Sequence, residues 1–300
     1  MIWQAVEAGA DIIKGQILFS EDLTHRPRFD EGEIAESGVR KTLKRPYAPE
    51  FDRIKSLDLT PEDYHFFVEE VYRAGKTPLL TVMSRNRIPL AASLPWRGEK
   101  AVKIASFDCA SDSLLRETAP HFDKFLVSTG ATLDEEISAT AEHLKKLKRP
   151  FAYLHCVTNY PNTLAMCNLS RMEWLKQFTP EVGWSDHTLV ARDGNKASMV
   201  AAAHGADFIE RHFTILAQDK TKDGPVSINP TQLRELRRFV DMPKKEQLAR
   251  MKREVPEWEI ILGVPQRELT HTEMLNRDYY RGRWGSPKGN TWVTNWDVLL

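Results

Sequence analysis

Two histidines close successive apolar runs, Val182-Gly183-Trp184-Ser185-Asp186-His187 and Asp207-Phe208-Ile209-Glu210-Arg211-His212-Phe213. Neutral imidazoles at neighbouring strand ends can share a divalent cation, and Asp108, just past another strand end, is a candidate oxygen ligand. This mixed nitrogen and oxygen set suits Mn²⁺, Mg²⁺, Co²⁺ or Zn²⁺, with Mn²⁺ or Mg²⁺ the expected ion. The alternative is that the histidines hydrogen-bond structural neighbours such as Asp186 or Glu210. Lys14 and Lys103 each fall at the end of an interior strand, where an ammonium is costly to bury without an anion. With the hydroxyls of Ser106, Ser128 and Thr129 and the amides around Gly130, they would cradle a phosphate or a carboxylate. Rim salt bridges to Asp or Glu, or a Schiff base with a 2-keto acid, are the other uses open to these lysines.

The elements that must position these groups follow from the hydropathy pattern. Apolar runs recur at 10–14, 78–82, 101–106, 125–129 and 151–156, and the two histidine runs bring the count of strands to seven. Helices lie between most of them: Thr60-Pro61-Glu62-Asp63 and Asn229-Pro230-Thr231-Gln232 each place a cap and a first-turn proline ahead of an apolar stretch. Strands alternating with helices demand a parallel sheet with right-handed crossovers, here a TIM-type (β/α)8 barrel over residues 1–240. Polar residues gather at the carboxyl ends of the strands: Lys14 and Gln16, Thr81 and Ser84, Lys103 and Ser106, Ser128 to Gly130, Thr158, Asn159 and Tyr160, His187, His212. A core strand gains nothing from ending this way repeatedly, so a shared polar mouth is expected. Tyr160 would stack on or hydrogen-bond a sugar there, whereas His155 and Cys156, inside their strand, read as packing. Residues 17–58, rich in proline and charge, form a long excursion over the mouth, and 241–300 form a short appendage.

The whole chain sets outer bounds. Its 300 residues, 41% hydrophobic, suffice for one large core, and 42 basic against 42 acidic side chains exclude bulk attraction to nucleic acid or an anionic membrane. No apolar stretch approaches the roughly 20 residues of a spanning helix, and the first residues lack the basic and apolar sections of a signal peptide, so the expected compartment is the cytoplasm. Cys109, Cys156 and Cys167 lack CxxC spacing and read as buried thiols.

Five ordered motifs carry a resemblance. Lys103-Ile104-Ala105-Ser106, Ser128-Thr129-Gly130, Leu154-His155-Cys156 followed by Tyr160-Pro161, Ser185-Asp186-His187-Thr188, and Glu210-Arg211-His212-Phe213-Thr214 are similar to motifs of the sialic acid synthase family. The resemblance implies condensation of phosphoenolpyruvate with an N-acetylated hexosamine to give a nine-carbon 2-keto sugar acid and phosphate. It implies His187 and His212 as metal ligands and Lys14, Thr81, Lys103, Ser106, Ser128, Gly130, Thr158 and Tyr160 as the phosphoenolpyruvate site. Gln16 and Tyr160 would hold the sugar. Where the family pattern has an Asp directly after Gly-Pro, Gly224-Pro225 is followed here by Val226-Ser227, and Asp223 is the substitute. Residues 276–300 resemble only the start of the family's C-terminal antifreeze-like domain, which serves a homodimer. The alternatives are a 2-keto acid lyase using a Schiff-base lysine and a catalytically silent sugar-phosphate-binding paralogue.

The chain opens on what reads as the first barrel helix, Ile2 to Ala8, with no strand before it. An upstream segment, the residues after 240 or a partner chain is therefore expected beside the strands carrying Lys14 and His212, with low activity in its absence.

Overall fold

Eight parallel strands lie side by side in chain order in the computed structural model, which describes residues 1–297. They are β1 (Ile12–Ile17), β2 (Thr77–Val82), β3 (Ala101–Ile104), β4 (Lys124–Ser128), β5 (Phe151–Cys156), β6 (Glu181–Asp186), β7 (Phe208–Phe213) and β8 (Ser227–Ile228). The first seven overlap the apolar runs, the first of them shifted to run past Lys14 to Ile17. The eighth corrects the count of seven: it is two residues long, pairs with His212 and Phe213, and is too short to produce a periodic signal.

The sheet curls as an incomplete TIM-type barrel, since β1 and β8 stand at its two ends and do not pair with each other. Burial follows the same geometry. Every residue of the central strand β5 is buried, whereas every residue of β7 is only half-buried. Among the described residues none after 240 pairs with β1 or β8, so the tail does not extend the sheet across the gap as one of the sequence expectations had it. The helices Lys244–Glu254 and Trp258–Leu262 pack instead on the helix Lys196–Ala203. The helix Ile2–Glu7 packs on Pro230–Val240, and Arg237 ties that helix to Asp11 at 2.6 Å.

Strand alternation sends successive side chains to opposite faces. On the outer face Leu80, Val82, Val102, Ile104, Phe125, Val127, Val182 and Trp184 join the main core beneath the helices. On the inner face Leu79, Leu126, Ala152 and Leu154 make a small apolar plug. Above that plug the same inward positions turn polar, and this switch positions the site. Thr60 and Asn229 cap their helices in reciprocal hydrogen bonds with Asp63 and Gln232, as their sequences predict.

The excursion holds a helix at Tyr47–Lys55 and a small hairpin of Glu33–Ile34 with Arg40–Thr42. It is clasped to the C-terminal segment: Leu23 bridges to Trp284, and the Thr24 hydroxyl donates to the Gly282 carbonyl at 2.6 Å. Leu23, Ile54, Met83 and Trp284 form a second small core where the two meet beside the mouth. The segment ends in β9 (Gly285–Lys288) and β10 (Thr291–Thr294), an antiparallel pair. Val298, Leu299 and Leu300, part of the proposed domain remnant, lie outside the described residues.

Candidate active site

The polar inner layer is built from strand register. Thr81 on β2 is level with Gln16 on β1 and with Lys103 on β3, and Ser185 on β6 is level with Glu210 on β7. Lys103, 4% exposed, donates to the Ser128 hydroxyl at 2.6 Å and to the Ile104 carbonyl at 3.1 Å. Its ammonium lies 3.8 Å from one Glu210 oxygen, and Lys14 lies 3.9 Å from the other. The Ser185 hydroxyl donates to Glu210 at 3.2 Å. Burial pushes the Lys103 ammonium down against the pull of Glu210. Burial works to raise the Glu210 carboxyl, but the Lys103 and Lys14 charges overcome it and hold it down to about 2. Two ammoniums therefore share one ionised carboxylate inside the mouth.

His187 and His212 stand at the same rim, with ring centres 5.4 Å apart. His187 Nδ1 lies 3.1 Å from the Val157 carbonyl, which only an N–H can satisfy, so the lone pair falls on Nε2. That nitrogen accepts from the Tyr160 hydroxyl at 2.9 Å, and the two rings lie 4.0 Å apart. Burial first, then the neighbouring His212, push His187 down to about 3. Burial likewise lowers His212, against the pull of Asp223, whose carboxylate is 3.8 Å from Nδ1. Both imidazoles are thus neutral near pH 7, the state that coordinates a metal. Asp223, named from the sequence as the substitute acid, thus lies beside His212.

The remaining predicted residues divide. Gly130 has no room for a side chain, because a Cβ there would meet Cys156 Sγ at 2.6 Å and Thr158 Cγ2 at 2.8 Å. Thr158 Oγ1 and Asn159 Oδ1 are buried without a hydrogen-bond partner, which fits groups reserved for a ligand. Ser106 and Thr81 are buried at the mouth, Gln16 is exposed there, and Thr129 faces the Leu154 carbonyl at 3.4 Å. Ser84 is committed elsewhere, donating to Asp22 at 2.8 Å beneath the excursion. Its assignment to substrate is corrected accordingly. His155 and Cys156 are buried, with His155 Nε2 2.7 Å from the Cys167 carbonyl, in line with packing.

Asp108 also requires correction. Both its oxygens are used by the C-terminal segment: Asn295 Nδ2 donates to one at 2.9 Å and Trp296 Nε1 to the other at 3.2 Å. Among the described residues no three His, Cys, Asp or Glu side chains converge as a metal-holding group. The candidate metal ligands are therefore the two imidazoles alone. Sequence reasoning also missed the cover of the mouth. Asn276 donates to the Thr158 carbonyl at 2.6 Å, Tyr280 stacks on Phe107 at 5.3 Å, and Arg277 and Arg281 both grip Glu136. Glu210 was legible only as a histidine partner, although its place two residues before His212 puts both on one face.

With this geometry in view, the comparisons with known proteins are decisive about kinship. A model of the NeuB family matches residues 1–251. The chain belongs to the NeuB family. It is 27% identical over 245 residues to the N,N'-diacetyllegionaminic acid synthase of Legionella pneumophila, covering 79% of this chain and 64% of that enzyme. To the Campylobacter jejuni enzyme of the same name it is 34% identical over 248 residues, covering 77% and 67%. Among solved structures, N-acetylneuraminic acid synthetase of Leptospira borgpetersenii superposes with a TM-score of 0.66 at 25% identity, covering 93% of this chain and 84% of that one. The Bacillus subtilis spore coat polysaccharide biosynthesis protein SpsE gives 0.67 at 25% identity, covering 94% and 72%. This NeuB-family chain thus spans under two thirds of the length of the Legionella relative. Among its described residues no helix is long and apolar enough to cross a membrane.

Proposed function

We propose that this protein condenses phosphoenolpyruvate with an N-acetylhexosamine-type aldose, giving a nine-carbon 2-keto sugar acid and phosphate. One observation carries the reading: Lys14 and Lys103 converge on a carboxylate, in a chamber whose rim bears two neutral imidazoles. The names of the NeuB-family relatives, which are sialic and legionaminic acid synthases, support it.

Phosphoenolpyruvate places its negative charge against Lys14 and Lys103, with Ser128 and the Gly130 amide as further donors. The substrate anion competes with Glu210 for both lysines, and the Glu210 carboxylate, less tightly held, becomes a stronger base. The Tyr160 hydroxyl, now donating to His187, is placed to hold the aldehyde oxygen as carbon 3 of phosphoenolpyruvate attacks the aldehyde carbon. Water then adds at carbon 2, one of its protons passing by way of Glu210 to the new alkoxide, and the carbon–oxygen bond to phosphate breaks as the remaining hydroxyl proton leaves with the phosphate, giving the ketone. With Asp108 committed elsewhere, His187, whose tautomer leaves the lone pair on Nε2, and His212 would offer a divalent ion such as Mn²⁺ two nitrogen donors. Such an ion, held by His187 and His212, would polarise the aldehyde.

A second reading has one observation behind it. Lys103 is almost fully buried with its ammonium pushed down, as a Schiff-base nucleophile requires. Phosphate release from phosphoenolpyruvate, assayed with a panel of N-acetylhexosamines with and without EDTA, separates the two. Release that needs both sugar and metal supports the synthase, and a borohydride-trapped keto-acid adduct supports the lyase.

A further inference from the structure

One helix, His271–Tyr280, reaches three consecutive strand ends. Tyr280 stacks on Phe107 in the loop after β3, with ring centres 5.3 Å apart. Arg277 Nη1 donates to the Ala131 carbonyl in the loop after β4 at 2.9 Å. Asn276 Nδ2 donates to the Thr158 carbonyl in the loop after β5 at 2.6 Å. These are the loops that carry Ser106, Gly130 and Thr158, the candidate donors to a substrate anion.

The first two loops are tied to each other without the helix, because the Thr132 hydroxyl lies 3.0 Å from the Ser106 carbonyl and 3.1 Å from that of Gly130. The second and third meet in close packing, since a Cβ at Gly130 would stand 2.8 Å from Thr158 Cγ2. Packing is non-directional, whereas a hydrogen bond fixes distance and angle. The adjacent residues Asn276 and Arg277 add that direction, one on each loop. The second loop also needs support. Ala131 is buried with a φ of 49°, in the left-handed region that a side chain disfavours, and such a backbone persists where its surroundings hold it. Arg277 grips the Ala131 carbonyl and, at 2.6 Å, Glu136, which in turn accepts from Leu133 N at 3.0 Å. The helix is anchored away from these loops at both ends. The His271 ring lies 2.8 Å from the Arg40 carbonyl, and Arg26 donates to the Arg281 carbonyl at 2.9 Å.

We propose that Asn276 and Arg277 are positioning residues that hold the loops after β4 and β5 at the spacing that receives phosphoenolpyruvate, so that the C-terminal helix is part of the site. The inference rests on the condensation proposed above. Linkage makes the effect reciprocal: a helix whose docking tightens anion binding is itself docked more tightly when the anion is bound.

The test combines calorimetry and amide hydrogen exchange on the full chain, with and without phosphoenolpyruvate. Asn276→Asp, which sets an acceptor against the Thr158 carbonyl, and Arg277→Ala should each weaken phosphoenolpyruvate binding by about tenfold, the worth of one such hydrogen bond. Arg281→Ala loosens the same helix from Glu136 but leaves both loop carbonyls their donors, and should change the affinity by no more than about twofold. In the native chain phosphoenolpyruvate should slow exchange of the amides of residues 276–281, a readout that needs no variant to fold. Equal losses of affinity in all three variants, or exchange at 276–281 indifferent to phosphoenolpyruvate, overturn the inference and leave the condensation standing. If the native chain does not bind phosphoenolpyruvate, the condensation falls, and ligand-free exchange decides the positioning role. Arg277→Ala should then speed exchange at 130–133 and Asn276→Asp at 157–160, with Arg281→Ala sparing both, and unchanged exchange there overturns the inference as well.

Discussion

Glu210 holds its carboxylate 3.8 Å from the Lys103 ammonium, and its other oxygen faces Lys14. On the proposed reading, a substrate anion would take over the two lysines from this carboxylate. Glu210→Gln should destabilise the ligand-free protein by about 3 kcal/mol, the cost of stranding one side of a buried pair. Phosphoenolpyruvate should restore part of that loss, so its stabilising thermal shift should be larger in the variant than in the native chain. A smaller shift would mean that the lysines do not receive the substrate.

His187→Ala and His212→Ala should each abolish turnover while leaving cooperative unfolding nearly unchanged, because neither ring belongs to the apolar core. Loss of the folded state in both variants, by circular dichroism, would assign the histidines a structural role instead.

Lys103→Ala should weaken phosphoenolpyruvate binding by about 2 to 3 kcal/mol, the typical worth of a charge-assisted contact. Calorimetric titration reads this directly. An unaltered affinity would remove Lys103 from the site.

Much of this arrangement was legible in the sequence. Buried parallel strands are continuous apolar runs, so β1 to β7 and the polar rim above them could be found without coordinates. β8 could not, being two residues that only pair with β7. The position of Asp108 just past a strand end does not reveal which way its side chain turns. It turns to Asn295 and Trp296, through polar contacts that have no periodicity to detect. The sharing of Glu210 between two lysines was hidden for a related reason: register across strands far apart in sequence decides it.

The Asp108 latch predicts a pH effect. Burial pushes its carboxyl up to about 7, against the hydrogen bonds from Asn295 and Trp296. Raised above its ordinary 3.8, the folded chain keeps a proton that the unfolded chain has already lost. Its contribution to stability is therefore full below 3.8 and lost as the pH rises to about 7. The lost contribution is on the order of 4 kcal/mol. Asp108→Asn cannot titrate. Denaturant unfolding at several pH values should thus show the variant gaining on the native chain from pH 4 to pH 8, and a constant difference would refute the latch.

The most direct test of the central claim is the product itself. Incubation of the native chain with phosphoenolpyruvate, Mn²⁺ or Mg²⁺, and a panel of N-acetylhexosamines should yield, by mass spectrometry, a nine-carbon 2-keto acid in equal amount to the phosphate released. Phosphate appearing without the keto acid, or no reaction with any member of that panel, would contradict the account.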